Sequence, residues 1–451
     1  MQSDPRRAAL DILVQLESSP ATLDRLMDSF HAASSFSRRD TRFVNALGFG
    51  VQRWRYRLDF AIAALSAKPL RKSDRQVLNI LRMGLYQILE MDRVPDAAVV
   101  HTAVDLARAV KCGWAAGYIN AILRRALREP QVIALPARAK DPTQALAVSQ
   151  SFPEWMISRW CDRFGLEETQ ALCRAVNRIP PLVLRTNRLK TTRSRLSESL
   201  QAYAPQIRRS DYTPEGLLID QLTGQIFDSR PFEQGWFQVQ DEAAQAVGHL
   251  VDPRPGETVL DACAGLGGKS AHLAELMQNR GRITAIDRDG AKLERLEVVM
   301  RRLGIAIVKT QSIDWLKSPA IDAPTRYDKI LLDAPCSGMG VLRRNPDAKW
   351  KRKPKGFKRY RAAQRDMLAV LVPLLKPGGA LIYAVCSTEP EETEDVLQWF
   401  LKKHPQFAID KKTRRRPASI DRLLNSDGCL QTAVHRHGTD GFFAARLRRR
   451  K

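Results

Sequence analysis

Two cysteines are the residues of this chain best placed to do chemistry. Lys329 to Gly340 reads KILLDAPCSGMG, a short apolar run that stops abruptly at Asp333, Pro335 and Cys336, and Ala380 to Ser387 reads ALIYAVCS, a second run ending at Cys386. Runs of this kind are what strands buried on both faces look like. Both thiols are therefore expected at strand tips, where an open α/β sheet faces its ligand crevice. A free cysteine taken alone is more often a small buried hydrophobe than a reagent. Two at strand tips, one of them beside Asp333 and Pro335, reverse that balance. A thiolate adds strongly to electron-poor carbon and leaves readily afterwards, and a carboxyl group beside it can manage the charge that develops on the ring under attack.

Such a pair needs a scaffold and a second ligand, and the chain from Gly235 onward has the pattern of both. Strands and helices alternate there as in a parallel sheet with crossover helices. Thr258 to Asp261 is the first expected strand and opens into ACAGLGGKS before a helix from about Ser270 to Asn279; Ile283 to Asp287 and Ile305 to Thr310 follow, with Asp314 shortly after. A glycine loop after the first strand and an acid closing the second is the order of a nucleotide crevice, in which the acid takes a ribose diol. Gly265, Gly267 and Gly268 fit neither G-x-G-x-x-G nor the G-x-x-x-x-G-K-[ST] phosphate loop. The loop and Asp287 suit S-adenosylmethionine, which carries ribose and adenine but no phosphate; an Asp287 that only caps the next helix is the alternative.

The remainder of the chain supplies charge. At 451 residues it exceeds one ordinary core, so two to three domains are expected. The 73 Lys and Arg against 49 Asp and Glu give a net charge of +24, which points to a polyanionic partner, nucleic acid first. From Arg6 to about Arg128 apolar residues recur three and four apart (Leu10, Leu13, Val14; Val77, Ile80, Leu81, Leu85; Val104, Leu106, Val110), predicting five to seven short helices. Arg38, Arg39, Arg42, Phe43, Arg53, Trp54, Arg55, Tyr56 and Arg57 interleave charge with rings, as an RNA face would, or as a core with solvated arginines would. Pro130 to Ser151 reads as a linker. The arginine-rich stretch after it reads as a small α+β unit, with a strand-like run from Leu182, a helix over about Thr192 to Tyr203 and a strand at Gln206 to Arg209. The densest basic run follows the Asp333 strand: Arg343, Arg344, Lys349, Lys351, Arg352, Lys353, Lys355, Lys358, Arg359 and Arg361 around Trp350, Phe357 and Tyr360. It is expected to hold phosphates beside the reaction site, with a solvated loop as the alternative. Lys411 to Arg416 and the Arg446 to Lys451 tail extend the same character.

Several classes are set aside. Seven scattered cysteines with no C-x-x-C argue against a disulfide framework and a structural zinc site. His31, His101, His249, His272 and His404 lack ligand spacing and His435-Arg-His437 is a weak pattern, so no metal is assigned. No run reaches the roughly 18 apolar residues of a membrane span, and the expected location is the cytoplasm.

With these residues in view, the chain resembles the RNA cytosine-5 methyltransferases of the Sun/Fmu class, in particular the bacterial RsmB type acting on 16S small-subunit ribosomal RNA. The most specific matches are DACAGLGGK at 261 to 269, DAPCSGMGVLRRNPDAKW at 333 to 350, VCSTEPEE at 385 to 392 and DGFFAARL at 440 to 447. The helical first domain is similar to the NusB-like domain of that type, and GWFQVQDEAA at 235 to 244 to the start of its catalytic domain. The resemblance implies a multidomain fold: an all-α NusB-like RNA-binding domain over 1–130, a linker over 131–150, a small α+β RNA-binding subdomain over 151–234, and an α/β Rossmann-like class I methyltransferase domain over 235–451. It also implies roles. Cys386 would be the nucleophile and Cys336 the cysteine that helps release the product. Cys263, Ala264, Gly265, Leu266, Gly267, Gly268 and Lys269 would surround the methionine part of S-adenosylmethionine. Asp287 would hold the ribose, Asp314 would lie near the adenine, and Asp333 would contact the methionyl end and the cytosine. The chain departs from the family at Gly265-Leu266, where Ala-Pro is usual, and at Val385, where Thr is usual. The implied partner is RNA, ribosomal first and transfer RNA second, with no obligatory protein partner. A non-catalytic RNA-binding factor of the ribosome-assembly or antitermination kind is the reading from another class.

Overall fold

The computed structural model describes residues 4–66, 75–92, 94–136, 141–317, 326–411 and 416–450. The chain divides into two compact units: Met1–Arg178 with Leu342–Arg352, and Ile179–Val341 with Lys353–Lys451.

The first unit is helical: α1 (Pro5–Ser18), α2 (Leu23–Ala33), α3 (Arg38–Leu65), α4 (Arg75–Glu90), α5 (Asp96–Ala109), α6 (Ala116–Arg128), α7 (Pro142–Gln150), α8 (Glu154–Phe164) and α9 (Leu166–Asn177). The three-and-four spacing does what it implies: Leu10, Leu13, Val77, Ile80, Leu81, Leu85, Leu106 and Val110 lie in one core with Leu47, Ile119 and Leu123. Hydroxyl caps start the helices, Thr22 accepting from the Arg25 amide and Ser37 from the Asp40 amide. The helices are not all short, since α3 runs 28 residues. The expected linker over 131–150 is in its second half a helix, α7, capped by Asp141 with Pro142 in the first turn, where a missing N–H costs nothing; residues 137–140 lie outside the described residues. α8 and α9 pack with α7, so the boundary between the two compact units falls at 178/179.

The basic expectations for this unit are corrected by where the side chains go. Arg53 is 7% exposed and donates to the Arg343 carbonyl. Arg55 pairs with Glu17 and lies over the Trp350 ring; Arg57 pairs with Glu90; the Tyr56 hydroxyl donates to Glu154. These residues form an internal joint, and the RNA-face reading survives only at exposed positions such as Arg39 and Arg42. The same holds for the first half of the run after Asp333. Arg343, Asp347 and Lys349 are buried. Asp347 accepts from the Leu23 amide at the start of α2, and the Trp350 indole N–H donates to the Gln52 carbonyl. Of the run expected to hold phosphates, Lys353, Lys355, Lys358 and Arg359 are exposed.

The second unit contains β1 (Leu182–Thr186), α10 (Arg193–Ser199), β2 (Ile207–Arg209), β3 (Gly216–Ile219), α11 (Arg230–Glu233), β4 (Phe237–Val239), α12 (Glu242–Val251), β5 (Thr258–Asp261), α13 (Gly268–Leu276), β6 (Arg282–Asp287), α14 (Gly290–Leu303), β7 (Val308–Ser312) and β8 (Tyr327–Asp333). After the turn α15 (Ala348–Lys351), which belongs to the first unit, come α16 (Lys355–Leu371), β9 (Leu375–Val385), α17 (Glu394–Lys403), β10 (Phe407–Ile409), α18 (Ala418–Asp421), β11 (Leu430–Gln431), α19 (Val434–His437) and β12 (Phe443–Arg449). A four-stranded antiparallel sheet, ordered β2-β3-β1-β4, buries Leu184, Leu196, Leu217 and Phe237. The larger sheet is ordered β10-β12-β9-β8-β5-β6-β7, parallel from β9 to β7. The multidomain class expected from the sequence, an all-α part, a small α+β part and an α/β Rossmann-like part, is the one observed.

The chain steps from β5 through β6 to β7 and then returns to β8 on the other side of β5. That reversal opens a crevice at the carboxyl ends of β5 and β8. β12 runs antiparallel to β9 with Phe443 opposite Val385, which brings Asp440 to Phe443 beside Cys386. The expected basic tail is partly internal: Arg446 is buried on β12 and donates to the Leu250 and Val251 carbonyls and to Asp410. Residues 412–415 and 451 lie outside the described residues, and no described helix is long and apolar enough to cross a membrane. Two buried polar knots tie the small sheet to the helices beside it. Arg185 of β1 pairs with Glu275 of α13 at 2.7 Å, and the Glu215 carboxylate lies 2.7 Å from the Nε2 atoms of both His249 and His272.

Candidate active site

The glycine loop leaves β5 at Asp261 and feeds α13 at Gly268. Two of its glycines are required for different reasons. Gly267 has φ +82°, and a Cβ there would fall 2.5 Å from Leu296 Cγ, so the loop lies tight on α14; Gly265 has φ +56° and nothing within 4 Å of a Cβ, so that face of the loop is open. Leu266, in the place of the family's proline, is 51% exposed.

Asp287 ends β6, and its carboxylate does two local tasks: Oδ2 accepts from the Gly265 amide at 3.0 Å and Oδ1 from the Asp289 amide at 2.9 Å. It closes the glycine loop and shapes the turn before α14, which is the local role the capping alternative describes. Asp314 follows β7 by two residues and accepts from the Leu316 amide at 3.1 Å.

Asp261, absent from the expected site, is fully buried, accepts from Ser270 Oγ at 2.7 Å and is pushed up to about 6 by that burial. Its signal lies in the sequence, since it is the acid that ends the first strand. Lys269 Nζ sits 2.6 Å from Asp333 Oδ2 and 5.2 Å from the Phe442 ring centroid. Burial opposes the charge on Lys269, but Asp333 outweighs it and holds the ammonium above the usual lysine value.

The two strand-tip thiols meet: Cys336 Sγ and Cys386 Sγ are 3.3 Å apart. β8 and β9 are neighbours with Asp333 opposite Ala384, and this register, extended by the Ala334 amide donating to the Ala384 carbonyl, carries both cysteines past the sheet edge together. The hydrogen bond shared with Cys386, together with burial, pushes the Cys336 thiol well above its ordinary value. Cys263 is held high as well, by burial and by Asp261, Asp333 and Asp287, which removes the third nearby thiol as a competing nucleophile.

The two loops beyond the strands are fixed by close approach and by a carboxylate. A Cβ on Gly340 would fall 1.8 Å from the Gly441 carbonyl oxygen, and the Gly340 amide donates to the Cys386 carbonyl at 3.0 Å. Glu392, a buried residue of the VCSTEPEE run with no expected role, reaches both loops. Cys112, Cys173 and Cys429 are buried and lie in the cores.

These residues fit S-adenosylmethionine. The crevice offers an open glycine face, carboxylates at the ends of β6 and β8 and after β7, and a cation, Lys269, that is already paired. A sulfonium ligand with a ribose and an adenine suits that donor set, and a pyrophosphate does not.

The family model for 16S rRNA methyltransferase RsmB/F matches residues 248–448, that of the NusB family 3–128, and that of the RsmF/B-like ferredoxin-like domain 152–224. A Bacillus subtilis protein named a probable ribosomal RNA small subunit methyltransferase B is 34% identical over 99% of this chain and 98% of its own length. The ribosomal RNA small subunit methyltransferase B of Pseudomonas putida is 32% identical over 98% of each chain. The crystal structure of PH0851 superposes with a TM-score of 0.81 at 28% identity, covering 99% of this chain and 98% of that one.

Proposed function

The chain belongs to the RsmB/F family of 16S rRNA methyltransferases, and on that premise we propose that it methylates carbon 5 of a cytosine in small-subunit ribosomal RNA through a covalent bond between Cys386 and the base. The observation that carries the reading is the 3.3 Å pairing of Cys386 with Cys336 beside the Lys269–Asp333 ion pair.

Carbon 5 of cytosine is too electron-poor to take a methyl group directly, so the ring must first be converted to an enamine. The Cys386 thiolate does this by adding to carbon 6. As negative charge develops at ring nitrogen 3, Asp333 relays to that nitrogen a proton from the Lys269 ammonium to which it is bonded. Residues 263–269, Asp287 and Asp314 would hold S-adenosylmethionine, which would supply the methyl group. Solvent water then acts as the base that takes the proton from carbon 5, the carbon 5–carbon 6 double bond re-forms, the bond from sulfur to carbon 6 breaks with its electrons on Cys386, and the proton on nitrogen 3 returns through Asp333. Cys336, which holds its proton, donates to the departing Cys386 sulfur at that stage. The target base must stand outside any helix to enter the crevice.

The test is to express Cys336→Ala in a bacterial host and look on a denaturing gel for protein joined to RNA, with the Cys336→Ala/Cys386→Ala double variant as control. An adduct in the single variant that vanishes in the double one, carrying 16S sequence, is the expected result. Transfer RNA in the adduct would move the substrate. A folded single variant with no adduct would overturn the assignment of the thiols.

A further inference from the structure

We infer that Glu392 is a positioning residue that holds the two reacting thiols at their working separation by clamping the backbone immediately after each of them. This rests on the covalent reading above and extends it to a residue outside the reacting set. Each cysteine is followed by a serine, Ser337 after Cys336 and Ser387 after Cys386, and both serines bond the same carboxylate. Glu392 Oε2 accepts from Ser337 Oγ at 2.5 Å and from Ser387 Oγ at 2.6 Å, while Oε1 accepts from the Ser337 amide at 2.7 Å. Glu392, Ser337 and Ser387 are each 0% exposed.

The carboxylate is itself held from behind. Gln364 of α16 reaches Glu392 Oε1 at 3.4 Å and the Pro335 carbonyl at 3.0 Å; the Tyr383 hydroxyl bonds the Glu392 carbonyl at 2.6 Å and Gln364 Oε1 at 3.0 Å. The network thus runs from α16 and β9 to the peptide just before Cys336 and the residues just after both thiols. Nothing in it touches a sulfur. Its positioning effect is geometric: a buried carboxylate with three donors on two loops fixes how far those loops can part, and a small misplacement of reacting groups costs roughly 100-fold in rate. The Glu392 charge also helps hold the Cys336 thiol high, so the serine variants, which keep that charge, read the geometry alone. A carboxylate suits the task because it accepts at both oxygens with its charge behind each bond, whereas a glutamine keeps one acceptor and bonds the serine hydroxyls only if both turn round to accept, without the charge assistance.

The test pairs Glu392→Gln with Ser337→Ala and Ser387→Ala, which each remove one arm and leave the carboxylate in place. Two readouts are taken. On free enzyme, the pH profile of iodoacetamide alkylation at Cys336 and Cys386 is read by mass spectrometry, which needs no RNA and no turnover. On turnover with rRNA, kcat and KM are separated. Expected are a 10- to 100-fold lower kcat for Glu392→Gln with KM for RNA and S-adenosylmethionine within about twofold, smaller losses of the same kind for each serine variant, and, in the serine variants, a Cys336 alkylation profile that moves toward that of an isolated cysteine. A folded Glu392→Gln or Ser387→Ala with wild-type kcat and an unchanged thiol profile would overturn the clamp. Altered thiol profiles in the Glu392 and serine variants, with a folded Cys336→Ala enzyme that forms no RNA adduct, would support the clamp and refute the covalent reading, so the two fail separately.

Discussion

Lys349 offers the sharpest test of how the Leu342–Arg352 segment is held. It is 1% exposed, its ammonium donates to the Arg53 and Ser151 carbonyls at 3.2 Å each and to Asn177 Oδ1 at 2.9 Å, and it lies 3.7 Å from the Phe152 ring centroid. Lys349→Met keeps the stem and deletes the head group. Three acceptors then lose a donor, each worth about 1–3 kcal/mol if left wholly unsatisfied. Two of them are main-chain oxygens with a second lone pair, and methionine escapes the cost of burying a charge, so the net loss is about 1–3 kcal/mol. At tenfold per 1.4 kcal/mol, amides of residues 342–352 should exchange hydrogen roughly 5- to 150-fold faster than in the wild type. Burial pushes the Lys349 ammonium well below the usual lysine value. Above that lowered value the unfolded chain binds a proton the folded one has released, so wild-type stability should rise relative to Lys349→Met as pH climbs toward 10. Mass-spectrometric hydrogen exchange with a correction for the intrinsic pH dependence measures both. An exchange ratio within about twofold of unity, or one that does not vary with pH, would refute the reasoning.

Two further outcomes are expected. The His272 value is lowered from 6.5 to about 4 by burial, and Glu215, bonded by His249 and His272 against the cost of its own burial, is held well below the usual glutamate value. For both, the unfolded state binds more protons, so stability is full at neutral pH, falls as pH drops from 6.5 toward 4 through His272, and falls further below about 4.5 through Glu215; the His272 share is worth up to roughly 3 kcal/mol at 1.36 kcal/mol per unit. Thermal unfolding between pH 7 and 4 should show this acid loss, and His272→Gln should flatten it; an equal slope in the variant would sink the assignment. Replacing Lys353, Lys355, Lys358 and Arg359 by Gln should lower RNA affinity and reduce the log–log salt slope by up to about 3, at roughly 0.7–0.9 for each phosphate no longer neutralised; filter binding from 50 to 200 mM salt tests it, and an unchanged slope would exclude this surface.

The parallel sheet is legible in the sequence because its strands are unbroken apolar runs ending in chemically distinctive residues. Thr258–Asp261 is found as expected, and β6 and β8 differ from expectation by one or two residues at their starts. The meeting of Cys336 and Cys386 can be anticipated as two strand tips, but their 3.3 Å separation depends on β8 and β9 being neighbours, which spacing alone does not dictate. What escapes are the polar groups whose partners are remote in the chain. His249 and His272 lack ligand spacing because their common neighbour is Glu215, more than thirty residues upstream of the nearer one. Glu392 reads as one more acid in an acidic turn, and only the convergence of Ser337 and Ser387 distinguishes it. Arginine is the least legible residue. Arg53, Arg185, Arg343 and Arg446 count toward a net charge of +24, yet all four are buried.

That burial changes how the longest motif should be interpreted. DAPCSGMGVLRRNPDAKW is continuous in sequence, but its two halves belong to different cores. Asp333 to Val341 follow the end of β8 in the second unit, where the proposed reaction site lies, while Leu342 to Trp350 lie with the helices of the first unit, where Asp347 accepts from the first amide of α2 and Lys349 bridges α3, Ser151 and Asn177. The basic letters of the second half have the composition of a phosphate-binding loop and the surroundings of a core. A loss of activity on changing Lys349 therefore cannot be equated with a weaker hold on RNA, because the same change removes interior hydrogen bonds. The exposed Lys353 to Arg359 stretch carries no such double duty. If RNA affinity falls with the exposed set while Lys349→Met alters exchange of the segment and leaves the salt slope intact, the motif divides between substrate-facing chemistry and internal support at Leu342.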